Sequence, residues 1–128
     1  MKIHLAARHE RRWEMLRVAS RLERAGHEVT SRWIQGGGGE DPAITPAVED
    51  LIDLGHADCL VSFTDDPNAI VAGAARGERH VVFGIALAAG KRVCIVGPRE
   101  NIFHHLLSVE TYATAADLIA GLGSKVSL

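Results

Sequence analysis

The chain has 128 residues, a formal net charge of −2, 47% hydrophobic and 23% charged residues; these values describe one globular domain over residues 1–128 and exclude a disordered or fibrous chain. The near-neutral charge supplies no general attraction for duplex nucleic acid or an anionic membrane, and the apolar runs stop well short of the roughly 20 residues that span a bilayer. The opening MKIHLAARHERR passes directly from apolar residues into charge without a signal-peptide core, so a cytoplasmic location is expected.

Residues 2–6 (KIHLA) are short, apolar and flanked by charge, as a first strand should be. Residues 9–25 space Trp13, Leu16, Ala19 and Leu22 three apart among Arg and Glu, which predicts an amphipathic helix stopped at Gly26. Residues 27–33 (HEVTSRW) alternate like a second strand. A loop over 35–46 carries four successive glycines, and Thr45–Pro46 then reads as the N-cap and first position of a helix running on over 47–55. Residues 57–63 (ADCLVSF) form a nearly continuous apolar strand, the pattern of one covered on both faces. After a long loop over 64–77 come a helix over 78–89 closed by Gly90, a strand over 91–96, a turn over 97–101 and a short helix over 102–107. A brief strand over 110–113 and a helix over 114–121 follow.

Strands and helices in alternation, with buried central strands, predict an α/β fold. Its expected form is a flavodoxin/Rossmann-like, doubly wound, mainly parallel five-stranded sheet in a three-layer α/β/α arrangement. Ligands in such folds sit beyond the carboxyl ends of the strands. Those ends lead into residues 7–12, 34–46, 64–79 and 97–105, where most of the glycine, histidine and unusual charge is concentrated.

Taken singly, the candidate residues have plain structural readings. Asp50 can share a wet helix face with Glu49 and Asp53, and Glu78 suits a helix N-terminus on dipole grounds alone. The loop-to-helix run GAARGERHVVFGIALAAGK offers free backbone N–H groups, with Arg76, Arg79 and His80 able to bond a polar or anionic ligand. It matches neither a P-loop nor a GxGxxG fingerprint. The histidines show no HExxH spacing, and His104 and His105, being adjacent, point apart, so no metal site is expected. No GxSxG elbow is present. Cys59 and Cys94 lie in apolar runs and are expected as buried free thiols.

Together, KIHLAAR, ERAGHEVTSRW, EDLIDLGHADCLVSF and GERHVVFGIALAAGKRVCIVGPRE make the chain resemble the nucleoside 2-deoxyribosyltransferases and their nucleotide N-hydrolase relatives over nearly its whole length. The resemblance implies cleavage or transfer at the N-glycosidic bond of a nucleoside or nucleotide, with no cofactor. A helix glutamate attacks the anomeric carbon and an aspartate assists at the base. Asp50 takes the aspartate's place, eight residues before Asp58. The nucleophile's place, two residues before Gly84, holds Val82.

Three accounts of Val82 stand side by side: a relative that only binds its ligand, a replacement carboxylate (Glu78, Asp65 or Asp66), or a chain altered at the nucleophile. The resemblance further assigns His4, Arg8, Asp65, Arg76, Arg79 and His80 to the ligand. It directs Asn101 and His104 to the site of a neighbouring copy in a homo-oligomer. Arg76 and Glu100 stand where phosphate-holding serines occur, and their opposite charges pull in opposite directions. A non-catalytic nucleoside- or nucleotide-binding module is the alternative function, and an interaction domain without a ligand is a third.

Overall fold

The computed structural model describes residues 1–36, 44–66 and 77–123. Five strands, β1 (Lys2–Ala6), β2 (Glu28–Val29), β3 (Cys59–Phe63), β4 (Arg92–Val96) and β5 (Val109–Tyr112), form one sheet in the order β2-β1-β3-β4-β5, with every pair parallel. The helices are α1 (Arg12–Arg24), α2 (Thr45–His56), α3 (Glu78–Ala88) and α4 (Ala115–Leu122). The expected flavodoxin-like order is the observed one, and strand order reverses between β1 and β3.

Side-chain alternation along each strand divides the core in two. Ile3, Leu5, Cys59, Val61, Phe63, Cys94 and Val96 face one side, where Met15, Val18, Ala19 and Leu22 of α1 and Leu118 of α4 cover them. Ala6, Leu60, Val93, Ile95 and Val109 face the other, beneath Leu54 of α2 and Val82, Phe83 and Ala86 of α3. Burying each large apolar side chain contributes about 1.5–3 kcal/mol, so a strand covered on both faces is strongly held in register. β3 is buried along its whole length, Ser62 included, as its nearly continuous apolar run predicts. Cys59 and Cys94 are free and buried on the α1/α4 face, with their sulfurs 4.0 Å apart.

One strand is much shorter than its pattern predicts. Of HEVTSRW, Glu28 and Val29 pair with β1, and Arg32–Gln35 coil into a 3-10 turn. Side chains replace the missing ladder: Ser31 Oγ accepts from Leu5 N–H at 3.1 Å, and Trp33 Nε1 donates to Leu5 C=O at 2.7 Å. The alternation is real, but it serves side-chain bonds to β1 rather than a longer backbone ladder. The predicted first helix likewise begins as a 3-10 turn, His9–Arg11, before α1. α2 starts at Thr45 with Pro46 in its first two positions, one residue earlier than the sequence suggests. The glycine run and most of the loop after β3, including Arg76, lie outside the described residues.

Candidate functional site

The carboxyl ends of β1, β3 and β4 carry a compact set of charges. Arg8 and Arg11 follow β1, Asp65 follows β3, Arg79 and His80 open α3, and Glu100, Asn101 and His104 follow β4. Gly77 is the N-cap of α3 and lies in the left-handed region at φ 83°, a conformation that glycine adopts without strain. Gly97 brings the other side close. At φ 117° it lies so near the end of β3 that an added Cβ would stand 2.5 Å from Thr64 Oγ1.

Asp65 is the hub. Arg8 Nε lies 2.9 Å from Oδ2, Arg79 Nη2 3.1 Å from the same oxygen, and Arg11 Nη1 3.3 Å from Oδ1. Burial opposes its ionisation, but Arg8, Arg79 and Arg11 outweigh that and hold the carboxyl below its ordinary value. Arg11 also donates to Thr64 C=O at 3.0 Å and pairs with Glu14 at 2.8 Å. Arg79 is only 7% exposed, contrary to the solvated reading, and its Nη2 donates to Glu100 Oε2 at 2.6 Å.

Histidines line the same cluster. His80 Nε2 is 2.8 Å from Arg79 Nη1, and burial followed by that guanidinium pushes the ring's pKa down. His104 is buried whereas His105 is exposed, as adjacent positions predict. Glu100 N–H donates to His104 Nδ1 at 3.0 Å, and the ring packs on Phe83 with centroids 4.8 Å apart. Burial, then His80 and Arg79, lowers the His104 pKa to about 4. Asn101, expected to reach a neighbouring subunit, here sits 3.5 Å from His80 and 3.3 Å from His104 of its own chain.

A second polar element lies under α2. His4 points from β1 into the α2/α3 layer, fully buried, with Nε2 3.0 Å from Asp50 Oδ1. The approach is off-line for a directed hydrogen bond, and both ring nitrogens lack one among the described residues. A buried imidazole without bonds is costly in an apolar layer, which marks this pair as polar for a reason other than packing. The wet-face reading of α2 does not hold: Asp53 is buried and accepts from Arg32 N–H and Nε at 2.9 Å each, while Asp50 turns to His4. Val82 is 6% exposed within the α3 contact to the sheet, whereas Glu78 one turn earlier is exposed.

Arg8, Asp65, Arg79, His80, Asn101 and His104 therefore meet in one cluster, and His4 meets Asp50. Glu100, read from the resemblance as standing at a phosphate-holding position, joins the cluster through Arg79, and Arg11 completes it without having been singled out. The Arg11 signal was present, since it is three residues from Arg8, but charge on a surface turn has an ordinary explanation. No group of residues suited to a metal ion occurs among the described residues, and no helix there is long and apolar enough to cross a membrane.

No protein-family model matches the sequence, and no curated protein is significantly similar to it. Solved structures share its fold. The 2-deoxyribosyltransferase of the psychrotolerant bacterium Bacillus psychrosaccharolyticus superposes with a TM-score of 0.68 at 20% identity, covering 100% of both chains. The CMP N-glycosidase of Clostridium botulinum gives 0.60 at 21% identity, over 95% of this chain and 98% of the other. A conserved protein from Enterococcus faecalis V583 gives 0.60 at 14% identity, over 94% and 95%.

Proposed function

We propose that this chain belongs with the nucleoside 2-deoxyribosyltransferase-like proteins and acts on the N-glycosidic bond of a nucleoside or nucleotide. The observation that carries the reading is the Asp50–His4 contact at 3.0 Å, buried within a fold shared with a deoxyribosyltransferase and an N-glycosidase. Asp50 is the acid–base group. Protonating the departing base lets the C1′–N bonding pair leave with the base. His4, Arg8, Asp65, Arg76, Arg79 and His80 are assigned to holding the ligand.

Val82 offers no carboxylate to form a glycosyl-enzyme, so the chain as it stands cleaves by direct attack of water, or through Glu78, the exposed carboxylate at the start of the same helix. Asp65 is a poor substitute nucleophile because its oxygens are engaged by three guanidinium groups. The burial of Val82 favours a second reading, a module that binds a nucleoside or nucleotide without cleaving it.

Chromatographic detection of free base separates the readings, using the chain and its Val82→Glu variant with deoxynucleosides and their monophosphates. Base released by the unaltered chain supports the enzyme, and base released only by Val82→Glu shows an intact scaffold that lacks its nucleophile. No release, with a ligand-dependent rise in Tm, supports the binding module. No shift in Tm with any of these compounds refutes both. A homo-oligomer is part of the proposal, supported by Val48, Leu51 and Ile52 on α2 and Val81 on α3, all about half exposed or more. Light scattering coupled to size exclusion tests it.

A further inference from the structure

Arg79 lies at the second position of α3, at the positive end of the helix dipole and near the carboxyl ends of parallel strands, a setting that favours an anion. An anion from the chain itself is already there. Glu100 Oε2 accepts from Arg79 Nη2 at 2.6 Å, Asp65 Oδ2 accepts from the same nitrogen at 3.1 Å, and Arg8 and Arg11 are both turned onto Asp65. Arg79 Nε and Glu100 Oε1 are buried with no hydrogen-bond partner among the described residues, so the pair keeps one donor and one acceptor unused. An incoming phosphate would meet the Glu100 carboxylate at short range and compete with it for Arg79. A neutral hydroxyl would meet both a donor and an acceptor.

We infer that Glu100 is an internal counter-ion that occupies the anion position of the site and restricts it to ligands without a phosphate at that end, nucleosides in preference to nucleoside monophosphates. The identity of the ligand rests on the function proposed above; the closed anion position does not.

Inorganic phosphate is the direct probe, titrated by calorimetry into the full chain and its Glu100→Gln and Glu100→Ser variants. Phosphate should not bind the unaltered chain saturably. Both variants should gain affinity by roughly fivefold to a thousandfold, the span for removing one charge a few Å away between water-like and protein-like screening. Saturable binding to the unaltered chain, or no gain in either variant, overturns the inference whatever nucleosides do.

A second arm compares deoxycytidine with its 5′-monophosphate. The unaltered chain should prefer the nucleoside, and the variants should shift toward the monophosphate. If phosphate behaves as expected but neither cytidine compound binds any of the three proteins, the nucleoside reading fails and the closed anion position stands. If the variants do not fold, the unaltered chain decides: tighter binding of the monophosphate than of the nucleoside refutes the inference, and the reverse preference with no phosphate binding upholds it.

Discussion

Substituting His104 by glutamine tests how the site's buried histidine ties stability to pH. His104 Nδ1 accepts from Glu100 N–H at 3.0 Å, so the folded chain requires that nitrogen unprotonated, and charging the ring removes the bond. Burial comes first among the causes that disfavour the charged form, followed by His80, Arg79, His105 and Arg99, and together they bring its pKa from 6.5 to about 4. In the unfolded chain the ring titrates near the higher value. Between pH 6.5 and about 4 the unfolded state therefore binds more protons than the folded one, and stability falls as the pH drops through that window and levels off below it. At 1.36 kcal/mol per unit, the difference corresponds to roughly 3 kcal/mol. Urea unfolding of both proteins at several values from about pH 7 to about pH 4 measures it. Glutamine retains an acceptor for Glu100 N–H but does not titrate. The variant should gain roughly 3 kcal/mol on the unaltered chain across the range, while the lowered pKa values of His27 and His80 act in both proteins and largely cancel. A stability difference that stays flat with pH would refute the argument.

Gly97→Ala should destabilise by more than about 2 kcal/mol, because the new methyl would sit 2.5 Å from Thr64 Oγ1 and 3.0 Å from Thr64 O on a backbone at φ 117°; thermal unfolding measures it. Arg79→Met leaves Glu100, mostly buried, without its cation and Asp65 with Arg8 and Arg11 alone, and should cost about 2–4 kcal/mol. Adding Glu100→Gln to that variant should recover part of the loss, and a purely additive double-mutant cycle would show that the pair is not coupled. Trp33→Phe removes the 2.7 Å bond to Leu5 C=O and should cost about 1–3 kcal/mol in urea. An unchanged transition midpoint would mean that this bond does not replace the ladder.

Much of the fold is legible residue by residue. The KIHLA run becomes β1 with the predicted ends, ADCLVSF contains the fully buried β3, and the predicted stripe of α1 holds at Ala19 and Leu22, whereas Trp13 is 63% exposed and Met15 and Val18 are buried in its stead. These patterns are local, and water enforces them: burial on one face or both dictates period and length. HEVTSRW departs from its pattern because alternation does not say whether backbone or side chains will satisfy the neighbouring strand. The same limit applies to α2, where the sequence shows three acids close together. Asp53 belongs to Arg32 and Asp50 faces His4, since helix rotation against the sheet is set by packing.

The amino-acid order by itself determined the alternation of strands and helices, the division of each strand between two core faces, and the concentration of polar residues at the strand ends. Only the tertiary structure decided which of those polar residues meet. Arg79 finds Asp65 fourteen positions earlier and Glu100 twenty-one later because β3 and β4 lie side by side and release their following segments at the same edge. Hydrophobic periodicity is a property of neighbours along the chain and survives in the sequence. An ion pair is a property of neighbours in space, and it exists only once the sheet has ordered its strands.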